Sequence, residues 1–401
     1  MKRFFFAVCV FLGAVLYAQD RQPSWEAGFS INTDVSNTQF TPFDLFKDKI
    51  ELQAESFSAA GFAAILSGSL TFPYVKLYAF KPYELCFFLD ADIMGGGKLP
   101  PDTLKFLFDE AASGNHSGEA SFGGSAFASL GAKISRKFGA WKIGVNPAVY
   151  VPLFYMADNG MRFDISASGG VTNANIAFTA DIYSSIFRGD SFDFSKVFQS
   201  AGFDMGVSAE YPLLSNLDLG AEISGVPLWP SRPAYKMRSR ISAVLEDFDA
   251  EDIFGQTIDF KEESETVFSN NDNYRVIRPL RIGLYAVYRP LDTGLLTLVP
   301  GLGISALTFY GRDVVLFNAG LEGRLNFPSW LTTSLCVEYR EKVWREKIDL
   351  AFTVKALTIN LGLGVSSPEF IKSFQGNGFF AAFGLRFVYM KKNKPGAFVA
   401  L

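Results

Sequence analysis

Ten charged residues stand at alternate positions in segments that are otherwise apolar or built of small residues: Lys142, Glu210, Glu222, Arg281, Arg289, Glu322, Arg324, Glu338, Arg340 and Arg386. In a strand, residues two apart share a face, so each of these charges lies opposite an apolar face. A charge taken into a protein interior must be paired or must meet water. Two readings stay open. The charges line a pore constriction or substrate path, or they form a salt-bridge network that fills a closed interior. Glu210, Glu222, Arg281, Glu322, Arg324 and Arg386 are the candidate lumen-lining set.

Other chemistry is sparse. No Gly-Lys-Ser/Thr phosphate loop is present, and no Gly-x-Gly-x-x-Gly follows a strand-like run. The single His, His116, sits in Ser113-Gly114-Asn115-His116-Ser117-Gly118. Its neighbour Ser117 could be a nucleophile only if a third group oriented the base. A solvated loop residue is the simpler reading, and an enzyme is the least supported class. No catalytic, metal or cofactor role is assigned. Segment 246–273 holds ten acids and one base, Lys261, between Arg232, Lys236, Arg238 and Arg240 before it and Arg275, Arg278 and Arg281 after it. It lacks the Gly and Glu spacing of an EF-hand. It reads as a solvated outer loop rather than an electrostatic lid or a cation site.

These residues need strands to position them. Phe203, Met205, Val207, Ala209 and Tyr211 alternate with Asp204, Gly206, Ser208 and Glu210. The same period of two runs through 217–224, 317–327, 357–366 and 379–389. Several runs have the length that crosses a bilayer at a tilt of about 45°. Aromatics cap the apolar faces at Trp25, Trp141, Tyr211, Tyr288, Phe327, Trp330, Tyr339 and Tyr389, as in the interfacial girdles of a barrel. A soluble β-sandwich would alternate too, but its second face would carry Lys, Glu and Thr, not Gly, Ser and Ala. The expected fold is all-β: a single antiparallel transmembrane barrel of about 14 strands, range roughly 12–16, with long extracellular loops. Tight turns are expected at 137–140, 169–173, 213–216, 290–294 and 327–330, all on the inner side. Val226 to about Arg275 is then one long outer excursion. Other long connections are 33–57, 93–123 and 187–201, with short helices at Pro101–Phe108 and Phe194–Ser200.

Lys2 and Arg3, the uncharged run Phe4–Tyr17 and the small residue Ala18 read as a secretory signal peptide over residues 1–18. The barrel follows over 19–390 and a short basic tail over 391–401. No later run has the roughly 18 apolar residues of a spanning helix. Composition agrees with this: 49% of the chain is apolar, 19% is charged and 42 residues are Phe. A net charge of −4 argues against a nucleic-acid partner. Cys86 and Cys336 read as lone apolar fillers rather than a disulfide.

Gly384-Leu385-Arg386-Phe387-Val388-Tyr389 resembles the carboxy-terminal recognition signal of outer-membrane barrels. In length and aromatic content the chain resembles spirochaete-type outer-membrane barrels, and loosely the long-chain fatty-acid transporter type. The Asn-Pro-Ala of that type's plug has a counterpart in Asn146-Pro147-Ala148, but this lies inside an alternating segment. The resemblance implies a bacterial outer-membrane location. It implies membrane lipid and the barrel assembly machinery as partners, and a small or hydrophobic solute as cargo. The expected function is a passive uptake channel or transporter. The alternative is a non-transporting surface protein whose long loops bind a partner.

Overall fold

The computed structural model describes residues 21–38, 62–78, 82–100, 114–168, 171–188, 191–248, 261–270, 273–291, 294–309, 312–327, 330–374 and 376–392. The expected signal peptide, the helix expected at Pro101–Phe108 and residues 393–401 of the tail lie outside them.

The first half of the chain forms β1 (Arg21–Asn37), β2 (Phe62–Leu77), β3 (Tyr83–Leu99), β4 (Gly114–Phe138), β5 (Trp141–Ser168) and β6 (Val171–Ser184). A two-residue hairpin of β7 (Phe187–Arg188) and β8 (Ser191–Phe192) precedes α1 (Val197–Ser200). Then come β9 (Gly202–Leu214), β10 (Leu217–Trp229), β11 (Tyr235–Phe248), β12 (Lys261–Asn270), β13 (Leu280–Tyr288), β14 (Leu296–Phe309) and β15 (Arg312–Asn326). The chain ends with β16 (Leu331–Arg340), β17 (Val343–Val354), β18 (Leu357–Ser367), α2 (Phe370–Phe374) and β19 (Gly378–Lys392).

Among the described residues one antiparallel sheet holds seventeen strands, and it closes where β1 pairs with β19. The circuit runs from β1 through β2, β3 and β4 to β5. It then passes to β9, β10 and β13, and through β14–β18 to β19. Three strands, β6, β11 and β12, stand off it, which leaves fourteen on the circuit. Closure leaves no edge on this circuit, the condition for a sheet to cross hydrocarbon.

The lower half of β5 pairs with β9 up to Tyr150, and its upper half pairs with β6 from Tyr155 onward. β11 and β12 continue that upper panel. β5 is 28 residues long, well beyond a bilayer crossing, so an apron made of the upper parts of β4 and β5 with β6, β11 and β12 stands above the wall. Ser168 and Val171, which flank the turn expected at 169–173, therefore lie at the outer tip of the apron, not on the inner side where alternation had placed that turn. The stretch from Val226 to Arg275 is likewise no plain excursion, because it contains β11 and β12. The turns at 137–140, 213–216, 290–294 and 327–330 do share one end, together with that at Lys355–Ala356. Arg340 and Val343 are joined by an equally tight turn at the opposite end, with positive φ at Glu341 and Lys342. The α1 turn falls inside the expected Phe194–Ser200 helix.

The face assignment decides between membrane barrel and sandwich. In a sandwich Leu361, Leu363 and Phe383 would be core, yet they are 42%, 60% and 38% exposed on the outer wall. Leu219, Leu321 and Phe387 lie on the same outer surface. A contiguous apolar belt of this kind needs an apolar solvent. The turn-end girdle is present: Trp25 stacks on Tyr389 at 5.7 Å and Trp141 meets Tyr211 at 4.7 Å. At the loop end Tyr339, Trp344 and Phe370 follow one another at 4.9 and 4.6 Å. No disulfide joins Cys86 and Cys336.

Candidate functional site

The lumen is filled in layers. Nearest the turn end, Lys142 reaches Glu84 at 3.2 Å and Glu210 at 4.0 Å, while the Tyr285 hydroxyl donates to Glu210 at 3.0 Å. Tyr285 lies flat across Gly220 on the neighbouring strand, where an added Cβ would strike the ring. Phe88 covers Gly131 in the same way, and Tyr150 covers Gly202. These glycines explain much of the small-residue face: each one is the seat of an aromatic ring from the next strand. Arg386 donates to Thr358 Oγ1 at 3.2 Å.

In the middle of the barrel, Glu322 and Arg324 close on each other through two hydrogen bonds of 2.6 and 2.7 Å. Glu222 borders a recess of about 500 Å³ over the bare backbone of Gly283, Gly301, Gly303 and Gly320. Towards the loop end, Arg281 donates to Glu341 at 2.9 and 3.1 Å. Arg345 pairs with Asp34, which also accepts from Ser366 at 2.6 Å. Glu338 holds Lys347 at 3.0 Å and Arg345 at 3.7 Å. These groups enclose a polar chamber of about 290 Å³.

Above the chamber a strap, residues 273–279, crosses the lumen between β12 and β13. Val276 is 1% exposed, bridges to Ser231 and accepts the Tyr150 hydroxyl at 3.0 Å. Arg278 makes a two-point ion pair with Asp204 at 2.7 and 2.9 Å. Phe127, Tyr150 and Tyr155 pack with Val276. Beside them, Ile65, Leu307, Leu316 and Val343 meet in a second apolar cluster from three sectors of the wall. Between strap and wall lies a mainly apolar chamber of about 490 Å³, faced by Phe127, Tyr155, Tyr274, Ile277 and Leu307. It shares Ser125, Phe127, Arg278 and Pro279 with the polar chamber below, so the strap forms the partition.

All six candidate lining residues thus point inward, but they are not one ring. Glu210 and Arg386 sit near the turn end, Glu222, Glu322 and Arg324 at mid-height, and Arg281 near the loops. Phe127, Tyr150 and Tyr285 are inside as well. Asp34, Arg345, Lys347, Asp204 and Arg278 complete the network and were not singled out as lining residues. Extending the alternation to 25–37 and 343–354 would have placed Asp34, Arg345 and Lys347 inward. Pairing across 311 residues, as for Asp34 and Arg345, has no local signal.

Successive residues His116 and Ser117 lie on β4, where neighbours point to opposite faces, so they do not form a nucleophile–base pair. His116 stacks on Phe163. Of the acidic segment, 246–248 end β11 and 261–270 form β12, which pairs with the basic part of β11 so that Arg240 faces Glu265. On the apron, Arg238 and then Lys236 hold the Asp181 carboxyl down to about 2. Its contribution to apron stability is present above the usual carboxylate range and is lost as pH falls towards 2.

A closed antiparallel barrel with an apolar outer wall and a polar, ring-packed lumen is the architecture of outer-membrane barrels. No family model matches the chain, and no curated relative matches it. Solved structures do match. The P. putida toluene transporter TodX has a TM-score of 0.50 at 8% identity, over 94% of this chain and 92% of that one. The Ralstonia pickettii toluene transporter TbuX has a TM-score of 0.45 at 8% identity, over 94% and 93%. A Pseudomonas aeruginosa FadL homologue has a TM-score of 0.43 at 11% identity, over 91% and 90%. The fold is thus similar to that of the toluene transporter TodX.

Proposed function

We propose that the chain is an outer-membrane barrel that takes up small hydrophobic solutes. The observation that carries this reading is the apolar chamber of about 490 Å³ at the loop end, within the size range of small-molecule sites. The layers beneath it suit slow passage of single molecules. Paired charges and seated rings leave little room for a water column, so ion flow is low while the strap is latched. The TodX-like fold supports the reading without identifying the cargo. Membrane lipid bathes the belt, and the terminal strand β19 serves the assembly machinery. The apron favours a second reading, a surface protein whose outer strands bind a partner.

An apolar diazirine solute tests the site. Photolabel should fall on strap residues Tyr274 and Ile277, and Leu307→Arg should reduce it several-fold. Label confined to the outer belt would contradict the assignment. Orientation is tested on intact cells. An epitope between β11 and β12 should be labelled, and one at Ser215 should not. The reverse pattern would invert the barrel.

A further inference from the structure

The segment between β6 and β9 carries a knob of four phenylalanines that the transport reading does not use. Phe187, Phe192, Phe194 and Phe198 are 39%, 64%, 66% and 91% exposed. Phe187 and Phe192 face each other across the β7–β8 hairpin at 5.0 Å, and Phe192 and Phe194 stack at 6.2 Å. The base of the knob is firmly held. Ser184 donates to Leu153 O at 2.6 Å and accepts the N–H groups of Ile186 and Phe187. Ser185 N–H donates to Pro152 O at 3.1 Å, and Ser231 Oγ donates to Ser200 O at 2.5 Å. A rigid base under an exposed apolar tip is costly in water, and covering the rings recovers that cost.

Register shows which side of the wall the knob is on. Tyr183, Lys236 and Tyr155 share the lumen-side face, because Tyr155 packs with Phe127 and Val276 inside. Tyr235 therefore points outward, and its hydroxyl donates to Asp193 of the knob at 2.5 Å. The knob leaves the wall where β9 gives way to β6. That is the level of Leu228 and Trp229, which are 52% and 63% exposed at the top of the apolar belt. Arg188 and Lys196 lie exposed beside the rings. Of the two acids between them in sequence, Asp190 and Asp193, Asp193 is occupied by Tyr235 and the Ser195 N–H.

We infer that this phenylalanine knob inserts into the outer leaflet of the bilayer beside the barrel, with Arg188 and Lys196 at the headgroup phosphates. The inference rests on the barrel reading. Continuity with the lipid belt selects lipid as the occupant, and aromatic rings with adjacent cations are the composition of interfacial anchors. It fixes the tilt and depth of the split wall, where two panels rather than one strand meet the membrane surface.

Site-directed spin labels on the full chain in phospholipid vesicles test it, with Cys9→Ser, Cys86→Ser and Cys336→Ser as background. Labels at Phe198→Cys, Leu361→Cys and Asn173→Cys are compared for relaxation by oxygen, which favours the bilayer, and by a water-soluble nickel chelate. The expected oxygen-to-nickel ratio at Phe198 is several-fold above that at Asn173 on the apron and approaches that at Leu361. A Phe198 ratio equal to that of Asn173, with Leu361 still lipid-like, overturns the knob inference and leaves the barrel standing. Protection of Phe198 from both agents reports a protein partner and overturns it as well. A water-like Leu361 would instead overturn the barrel reading. A Phe194→Cys label repeats the test should Phe198→Cys fail to assemble.

Discussion

Arg278→Met is expected to destabilise the folded barrel by about 3–5 kcal/mol, because it strands the Asp204 carboxylate, which is 1% exposed, without its cation. The same change unlatches the strap from β9. Two readouts follow. The temperature at which the barrel loses its fast gel migration should fall, and ion conductance in planar bilayers should rise from a low baseline. Arg278→Met combined with Asp204→Asn should recover much of the stability, since the buried charge is gone. Conductance should stay raised in the double variant, because the latch is still absent. Equal melting and conductance in all three proteins would show that the strap is held by Val276 and Tyr150 alone.

Leu361→Arg is the second large effect. Leu361 pairs with Leu350 and Phe383 near the middle of β18, on the apolar outer wall. A cation facing lipid at mid-depth costs about 2–4 kcal/mol, whereas a lumen change acts mainly on selectivity. The variant should assemble poorly and unfold at lower temperature. Arg386→Ser, on the lumen face of β19, should assemble nearly as well as the parent, since it loses one hydrogen bond to Thr358. Normal assembly of Leu361→Arg would mean that the alternation has been read in the wrong register. Collapse of Arg386→Ser would make the interior charges structural.

Much of the barrel could be read from alternation, and the reason is physical. A strand with lipid on one side and a lumen on the other must separate its residues at every step, so β9, β10, β15, β18 and β19 announce themselves in the sequence. The inward placement of Glu210, Glu222, Glu322 and Arg386 followed from the same rule. What alternation could not show was how strands meet. The split of β5 between β9 and β6 falls at a bulge, with Pro152 opposite Phe127 and Phe154 opposite Ala126, so that Tyr150 and Tyr155 both face inward; a one-residue shift in alternation does not by itself reveal a change of partner. The turn at 169–173 looked like any other tight turn, and only the length of β5 places it above the wall. Ion pairs such as Arg278–Asp204 depend on a strap whose own residues carry no periodic signal. The aromatic rings seated on Gly131, Gly202 and Gly220 likewise read in the sequence only as small residues on one face.

The most direct measurement compares uptake by cells producing the chain with uptake by cells lacking it, using a small apolar solute and a sugar of similar size. The apolar solute should enter several times faster when the chain is present, with no change for the sugar. Equal acceleration of both would mean an open aqueous pore, and acceleration of neither would contradict a transport role.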